Sequence, residues 1–160
     1  MAKEAEFMDL YQAWQRLPNG PRAELRRCGT LDDLLEVPAF YRLLGGRGEK
    51  EWQKKAFQRL VFCLPCIKGH TEQKVTLGAA LARSRNGARP AVSESRMIQI
   101  VRCTSPNDMI QLRRILKQAE PTVNWPLIAK QLWYWDYSER SKRDLLEDFF
   151  INQKDKSKEG

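Results

Sequence analysis

Apolar residues recur every three or four positions along most of the chain, the spacing that puts side chains on one face of an α-helix. Near the start, Phe7, Leu10 and Trp14 follow this spacing and predict an amphipathic helix over residues 3–17. No segment shows the alternating apolar and polar residues of a half-buried strand bounded by hairpin turns. The pattern therefore predicts an all-α fold, a compact bundle of about eight or nine helices.

Polar residues that commonly begin helices stand just before several of the apolar segments. A side-chain oxygen at such a position accepts a hydrogen bond from a backbone N–H of the first turn, which otherwise lacks a partner. The predicted helix-capping residues are Thr30 with Asp33, Ser93 or Ser95, Ser105 with Asp108, Asn124, and Ser138.

The segment NGARPAV, residues 86–92, is the best candidate for a linker, because it is rich in Gly and Pro and contains no acidic residue. It divides the chain into an N-terminal helical half, residues 1–90, and a C-terminal helical half, residues 91–160. A chain of 160 residues accommodates two small subdomains that share a core, or one compact domain.

Apolar runs and cysteines bear on the expected compartment. No run of eighteen apolar residues occurs, so no membrane span is expected. The N-terminal sequence MAKEAEFMDL is acidic and amphipathic, unlike a signal peptide. Four cysteines without an export signal are expected to remain free thiols, and the expected compartment is the cytoplasm.

Positive charge is concentrated in one segment. The whole chain has a net charge of +8, and residues 73–117 alone contain nine basic and two acidic residues, a net charge of +7. Such clustering is typical of a surface that binds a polyanion, and most of these residues are Arg, whose planar guanidinium suits phosphate. A solvated basic face without a partner is the alternative interpretation.

The segment 109–119 contains three of these basic residues within an apolar run. On a helical wheel its Leu and Ile side chains share one side, while Arg113, Arg114 and Lys117 fall on the other. Arg113 and Lys117 are four residues apart, so they repel each other unless an anion lies between them. The helical wheel therefore predicts an exposed basic face that binds phosphates.

Cys63-Leu-Pro-Cys66 is a C-x-x-C motif, which raises redox and zinc chemistry as alternatives. A redox dithiol needs its first Cys at a helix N-terminus, whereas Cys63 falls at the C-terminal end of a predicted helix over residues 49–64. A zinc site using His70 would lack the second close pair of ligands that structural zinc usually has. A buried thiol is the favoured interpretation, and a redox-active C-x-x-C protein stays as an alternative.

No nucleophile, metalloprotease or phosphate-loop motif occurs, which favours a binding protein over an enzyme. A helix-turn-helix interpretation of residues 106–135 is weakened because its second helix, PLIAKQLWYW, is too apolar to read base edges. The aromatic residues 133–135 could stack on unpaired bases, but a division between core and interface is favoured. A basic scaffold that binds acidic partners remains a further alternative.

Eight strings occur together in a characteristic order: LYQAW (10–14), PAFYRL (38–43), VFC (61–63), TLGAALA (76–82), RMIQIVR (96–102), DMIQLRRILKQAEP (108–121), WPLIAK (125–130) and LLEDF (145–149). With these strings the chain resembles the small subunit of the type I-E CRISPR Cascade complex, the CasB family. The resemblance covers nearly the whole chain and is weakest at residues 45–52, at residues 65–75 and in the C-terminal tail.

The resemblance implies a small, all-helical, non-catalytic bacterial protein of antiviral defence. Two copies would lie along a complex built on a CRISPR guide RNA, contact its backbone and large subunits, and stabilise the opened target DNA. No cofactor or metal is implied. Basic positions in the matching strings and the basic segment would contact nucleic acid, and so would a further basic pair at a predicted short helix. The positions in the strings and the segment are Arg83, Arg96, Arg102, Arg113, Arg114 and Lys117, and the further pair is Arg26 and Arg27.

Overall fold

The computed structural model describes the backbone of residues 2–137 and 139–157, with side chains for residues 3–137 and 139–153. Over these ranges the chain forms nine α-helices, two 3₁₀ helices and four strands of two residues each, which confirms the predicted all-α class. The α-helices are α1 Ala2–Arg16, α2 Asn19–Arg27, α3 Pro38–Leu44, α4 Glu51–Cys63, α5 Leu77–Arg83, α6 Glu94–Arg102, α7 Asn107–Ala119, α8 Trp125–Trp133 and α9 Arg140–Ser157. The 3₁₀ helices are Asp32–Glu36 and Leu64–Cys66, and the strands are β1 Gly69–His70, β2 Arg85–Asn86, β3 Arg89–Pro90 and β4 Thr122–Val123.

The first predicted cap forms as expected. Thr30 Oγ1 accepts a hydrogen bond from the Asp33 N–H at 3.2 Å, and the Asp33 carboxylate accepts one from the Thr30 N–H at 3.0 Å. The Gly29 and Thr30 N–H groups, which donate to this carboxylate, hold the pKa of Asp33 below its ordinary value. This reciprocal pair begins the 3₁₀ helix Asp32–Glu36.

Two further predicted caps are confirmed and one is wrong. Ser93 caps α6 and Asn124 caps α8, since each side chain accepts a hydrogen bond from the N–H three residues later. Within the described residues α7 lacks the predicted cap, because Ser105 makes no such bond and the buried Asp108 carboxylate accepts the N–H of its neighbour Met109 at 2.8 Å instead. The predicted helix start at Ser138 lies outside the described residues.

The predicted linker is a hairpin instead. Strands β2 and β3 pair antiparallel around Gly87, whose φ of +65° is the left-handed conformation that glycine adopts without strain. Directly after the hairpin, Ala91 and Val92 are buried in the core. A two-residue strand is too short to show the alternation that predicts a strand, so the sequence pattern does not indicate this hairpin.

Strands β1 and β4 join two distant parts of the chain. They pair in parallel, with Gly69 opposite Thr122 and His70 opposite Val123. Sequence patterns did not predict this pairing. It fixes the loop before β1 against the segment that follows α7.

One hydrophobic cluster contains side chains from both predicted halves, including Phe7, Phe40 and Phe57 from the first and Trp125 and Phe149 from the second. Helix α4 packs against both α7 and α8, and α1 packs against α8. The division of the chain near residue 90 stays a prediction. Among the described residues, no helix has the length and apolar character needed to cross a membrane.

Among the described residues, helices α5 and α9 share the most extensive contact between two helices, and Gly78 lies directly against α9. A Cβ atom added to Gly78 would lie 2.4 Å from the Leu145 carbonyl oxygen and 2.7 Å from the Phe149 backbone nitrogen. These are backbone atoms of α9, so they cannot move aside without moving the helix. The close approach therefore requires glycine.

We expect Gly78→Ala to lower the free energy of unfolding by about 1–3 kcal/mol or more, the typical cost of inserting a methyl group into a packed contact. Urea unfolding followed by circular dichroism measures this change. Gly20→Ala is the matched control, because nothing lies within 4 Å of its added Cβ and Gly20 is inside α2. The control should change stability by less than about 1 kcal/mol, in the stabilising direction. Equal stability of the two variants would contradict the close-contact interpretation.

Candidate nucleic-acid interface

Arg113 is buried, contrary to the exposed basic face predicted from the helical wheel. Only 5% of the residue is exposed, and its Nη2 donates hydrogen bonds to the Leu25 and Arg26 carbonyl oxygens at 3.3 and 2.8 Å. The guanidinium lies over the Phe62 ring, 4.4 Å from its centroid. Arg113 thus holds the last turn of α2 against α7 and α4.

The wheel failed because α7 is covered on more than one side. It packs against α6, α4 and the 3₁₀ helix Leu64–Cys66, and the C-terminal end of α2 lies over Arg113. Carbonyl groups at a helix C-terminus have no partner inside the helix and carry partial negative charge. A buried arginine donates hydrogen bonds to these carbonyl groups, and its positive charge balances their partial negative charge. A charged residue therefore occupies a position that a helical wheel assigns to solvent.

The same arrangement occurs at the end of α8. Arg59 is buried and donates from Nε to the Leu132 carbonyl oxygen at 2.7 Å and from Nη2 to the Trp133 carbonyl oxygen at 2.8 Å. Its Nη1 forms an ion pair with Asp136 at 2.9 Å. Burial lowers the pKa of Arg59, and Asp136 opposes that shift.

Three more helices end on basic side chains. Arg47 donates to the last carbonyls of α3, with 2.7 Å between its Nε and the Leu44 oxygen. Lys142 donates to the Cys103 oxygen at the end of α6 at 2.9 Å, and Arg22 donates to the Gln15 oxygen near the end of α1. These cations are committed to the fold, so the net charge overstates what a partner could meet.

A cleft of about 320 Å³ brings together three of the predicted residues, Arg26, Arg113 and Lys117. Lys68 and Glu120 also line it. We call this the Arg113 cleft, defined by these five residues. Sequence analysis missed Lys68, because Lys68 reaches the cleft through the β1–β4 pairing and no local pattern reports that pairing.

Arg96 and Arg114 come together on the surface formed by α6 and α7. Arg96 Nη1 donates a hydrogen bond to Gln118 Oε1, which joins the two helices. Arg114 is exposed and lies one helical turn before Gln118, on the same face of α7. Two predicted residues therefore share this face.

Arg102 is exposed at the end of α6 and lines a second cleft of about 540 Å³ with Lys142 and Arg143. Asp136 and Glu139 also line this cleft, so its charge is mixed. Lys142 is further neutralised by Asp108, at 2.9 Å. The second cleft is therefore a weaker candidate for an anion than the Arg113 cleft.

The remaining predicted residues, Arg83 and Arg27, line neither of these two clefts. Arg83 is exposed on α5, where its Nη2 donates to Asn152 Oδ1 of α9 at 2.8 Å. Arg27 is exposed at the end of α2, next to Arg26. The structure thus distributes the predicted set over several surfaces rather than one.

Cys63 lies at the C-terminal end of α4 and is completely buried. Burial, with a further contribution from Cys66, raises the pKa of the Cys63 thiol above its ordinary value. A nucleophilic thiol needs the opposite shift. This environment agrees with the favoured interpretation of a buried thiol.

His70 is engaged in structural contacts rather than presented as a ligand. Its Nδ1 accepts a hydrogen bond from the Trp125 N–H at 3.0 Å, and its Nε2 lies 3.1 Å from Glu72 Oε1. This bond satisfies an N–H at the start of α8. In the part of the chain that the structure describes, no group of three or more His, Cys, Asp or Glu could hold a metal ion.

The three aromatic residues 133–135 divide as favoured. Trp133 and Trp135 are buried, and the Trp135 Nε1 donates to Asp108 Oδ2 at 2.9 Å. Tyr134 is exposed. The two tryptophans are therefore core residues rather than a stacking platform.

We expect Arg113→Ala to lower the free energy of unfolding by about 2–3 kcal/mol, because it leaves buried carbonyls of α2 without a charged donor. Urea unfolding measures this loss. Arg114→Ala is the control on the neighbouring exposed position and should change stability by no more than about 0.5 kcal/mol. If the two variants lost equal stability, the capping role of Arg113 would be wrong.

Cys63 should resist an aromatic disulfide reagent in the native protein and react only after denaturation, because its thiol is buried and its pKa is raised. Cys103, which is partly exposed, should react first, and a Cys103→Ser variant identifies its contribution. Rapid formation of a Cys63–Cys66 disulfide under mild oxidation of the native protein would instead favour the redox alternative.

Known proteins resemble this chain over most of its length. The model of the family CRISPR-associated protein Cse2 matches residues 21–150. The CRISPR system Cascade subunit CasB of Escherichia coli (strain K12) is 41% identical over 161 residues, which cover 94% of this chain and 96% of that protein.

Solved structures agree with this relationship. A chain in the crystal structure of E. coli Cascade bound to a PAM-containing dsDNA target matches with a TM-score of 0.83 at 41% identity, over 92% of this chain and 96% of that chain. The crystal structure of M. ruber CasB matches in fold with a TM-score of 0.71 at 18% identity, over 98% and 97% of the two chains. The chain belongs to the family of CRISPR-associated protein Cse2.

Proposed function

We propose that this protein is a non-catalytic small subunit of a CRISPR Cascade complex that binds the backbones of guide RNA and target DNA without sequence specificity. In this role it stabilises the opened target. The observation that carries the proposal is the set of exposed basic side chains on α2, α6 and α7 in a family member 41% identical to a Cascade subunit. The solved relative at the same identity belongs to a Cascade bound to dsDNA.

Binding without sequence specificity follows from where these side chains lie. Arg27 and Arg102 are at helix C-terminal ends, and Arg114 is on the outer face of α7, whereas α8 is largely buried. None of the helices that carry these side chains, nor α8, is an exposed helix that could lie in a major groove. In RNA-guided recognition base pairing reads the sequence, and protein contacts to the backbone tip a nearly balanced exchange of strands.

The partners proposed besides nucleic acid are the backbone and large subunits of Cascade and a second copy of this chain. Sequence identity of 41% over nearly the full length supports the first of these. The buried Cys63 supports a non-catalytic role, since the only C-x-x-C motif of the sequence offers no reactive thiolate.

Replacing Arg27, Arg102 and Arg114 together by Gln should weaken capture of target DNA by the assembled complex. The slope of log K against log salt should become shallower by about 2–3, because each of the three lost phosphate contacts removes about 0.7–0.9 from it. Filter binding at several salt concentrations measures both quantities. Assembly of the variant complex is checked by size-exclusion chromatography.

The control variant replaces Arg16, Arg42 and Lys55 by Gln, which removes the same charge from exposed positions outside the predicted set. It should leave the slope unchanged. Equal losses in the two variants would reduce the effect to net charge, and no loss in either would refute the proposed function. If nuclease treatment left the co-purifying partners bound to the isolated chain, the alternative of a basic scaffold that binds acidic partners would take its place.

A further inference from the structure

Positive charge is concentrated at the Arg113 cleft. Arg26, Lys68, Arg113 and Lys117 line it against a single acid, Glu120. These four cations come from three parts of the chain: the end of α2, the loop before β1, and α7. Like charges gathered from separate elements repel one another unless an anion lies among them.

Arg113 is held rigidly at this cleft, and one of its N–H donors has no acceptor among the described residues. Its Nη2 is fixed on two carbonyl oxygens and its guanidinium is packed on Phe62. Its Nε is buried, and among the described residues it has no hydrogen-bond partner. A buried donor without an acceptor is unfavourable, particularly on a charged group. Arg113 lines the cleft, so an anion that enters it meets a guanidinium whose position is already fixed.

The β1–β4 pairing builds the opposite wall. The Lys68 N–H donates to the Pro121 carbonyl oxygen at 2.8 Å, next to the paired residues Gly69 and Thr122. This bond places Lys68 beside Glu120, which ends α7 in the left-handed conformation. The cleft therefore has a wall that is fixed by the fold, rather than a group of long side chains on an open surface.

We infer that the Arg113 cleft binds one phosphodiester group of a nucleic-acid strand. This inference rests on the proposed function and assigns one discrete contact within it. A phosphodiester carries one negative charge and several acceptor oxygens, which match a rigid guanidinium and surrounding amines. Arg113 supplies a guanidinium fixed by the fold, and the exposed Arg26, Lys68 and Lys117 supply further positive charge.

The shape of the cleft favours a backbone phosphate over free inorganic phosphate. Pro65 and Ile67 line the same cleft and supply an apolar wall. A sugar ring attached to a bound phosphate can contact such a wall, whereas a fully hydrated free ion gains nothing from it. The volume of about 320 Å³ suits one phosphate rather than a series.

The test replaces Arg26, Lys68 and Lys117 together by Gln and measures DNA capture by the assembled complex across salt concentrations. Arg113 is left intact, because it supports the fold. If the three residues surround one phosphate, the slope of log K against log salt should fall by about 0.7–0.9, the value of a single phosphate. Three independent surface contacts would lower it by about three times as much, and that result would overturn the inference, as would an unchanged slope.

The substitution Glu120→Gln should change the affinity of DNA capture in the opposite direction. Removing the one acid among the described residues that line the cleft should tighten DNA capture by roughly two- to tenfold, as expected for one like-charge repulsion near a protein surface. In the triple variant the same substitution should have a much smaller effect. An unchanged affinity for Glu120→Gln in the otherwise native complex would count against a bound phosphate.

Thermal unfolding of the full chain in inorganic phosphate, against chloride at equal ionic strength, distinguishes the two sources of phosphate. We expect little stabilisation by the free ion. Phosphate-specific stabilisation that the triple variant loses, together with an unchanged DNA slope, would assign the cleft to free phosphate and overturn the inference. The variant Arg27→Gln, Arg102→Gln and Arg114→Gln separates this failure from failure of the proposed function, since its own loss of slope does not depend on the cleft.

Discussion

Basic side chains bound to carbonyl groups at helix C-termini hold this fold together. The helices are mostly short, and a short helix leaves a large share of its carbonyl groups without partners inside the helix. Arg113 satisfies the end of α2 and Arg59 the end of α8, both from positions distant in the sequence. Each arginine thereby joins two helices, so the polar bond that ends one helix also fixes its packing against another.

This use of arginine has a consequence for function, because a cation that binds a carbonyl is not available to a partner. Arg113 and Arg59 are buried, and Lys142 is bound both to a helix end and to a buried carboxylate. Exposed residues such as Arg27 and Arg114 carry the charge that a nucleic acid could meet. Burial therefore separates the cations that support the fold from those that are exposed to the proposed partner.

Buried and exposed cations occur together at the Arg113 cleft. There one guanidinium supports α2 through Nη2 while its Nε has no partner among the described residues. Packing against Phe62 and the α2 carbonyls keeps the side chain from moving to solvent, so its orientation is set before any ligand arrives. Preorganisation of this kind lowers the conformational entropy lost on binding.

Local sequence patterns determined the all-α class, the caps at Thr30, Ser93 and Asn124, and the burial of Cys63, because each depends on residues within one or two turns of one another. The tertiary structure alone decided that Arg113 is buried, and that Lys68 joins Arg26 and Lys117 in one cleft. Those outcomes depend on contacts between residues far apart in the chain. A helical wheel describes one helix at a time. The free energy of a buried charge depends instead on the carbonyl groups of another helix that lie against it.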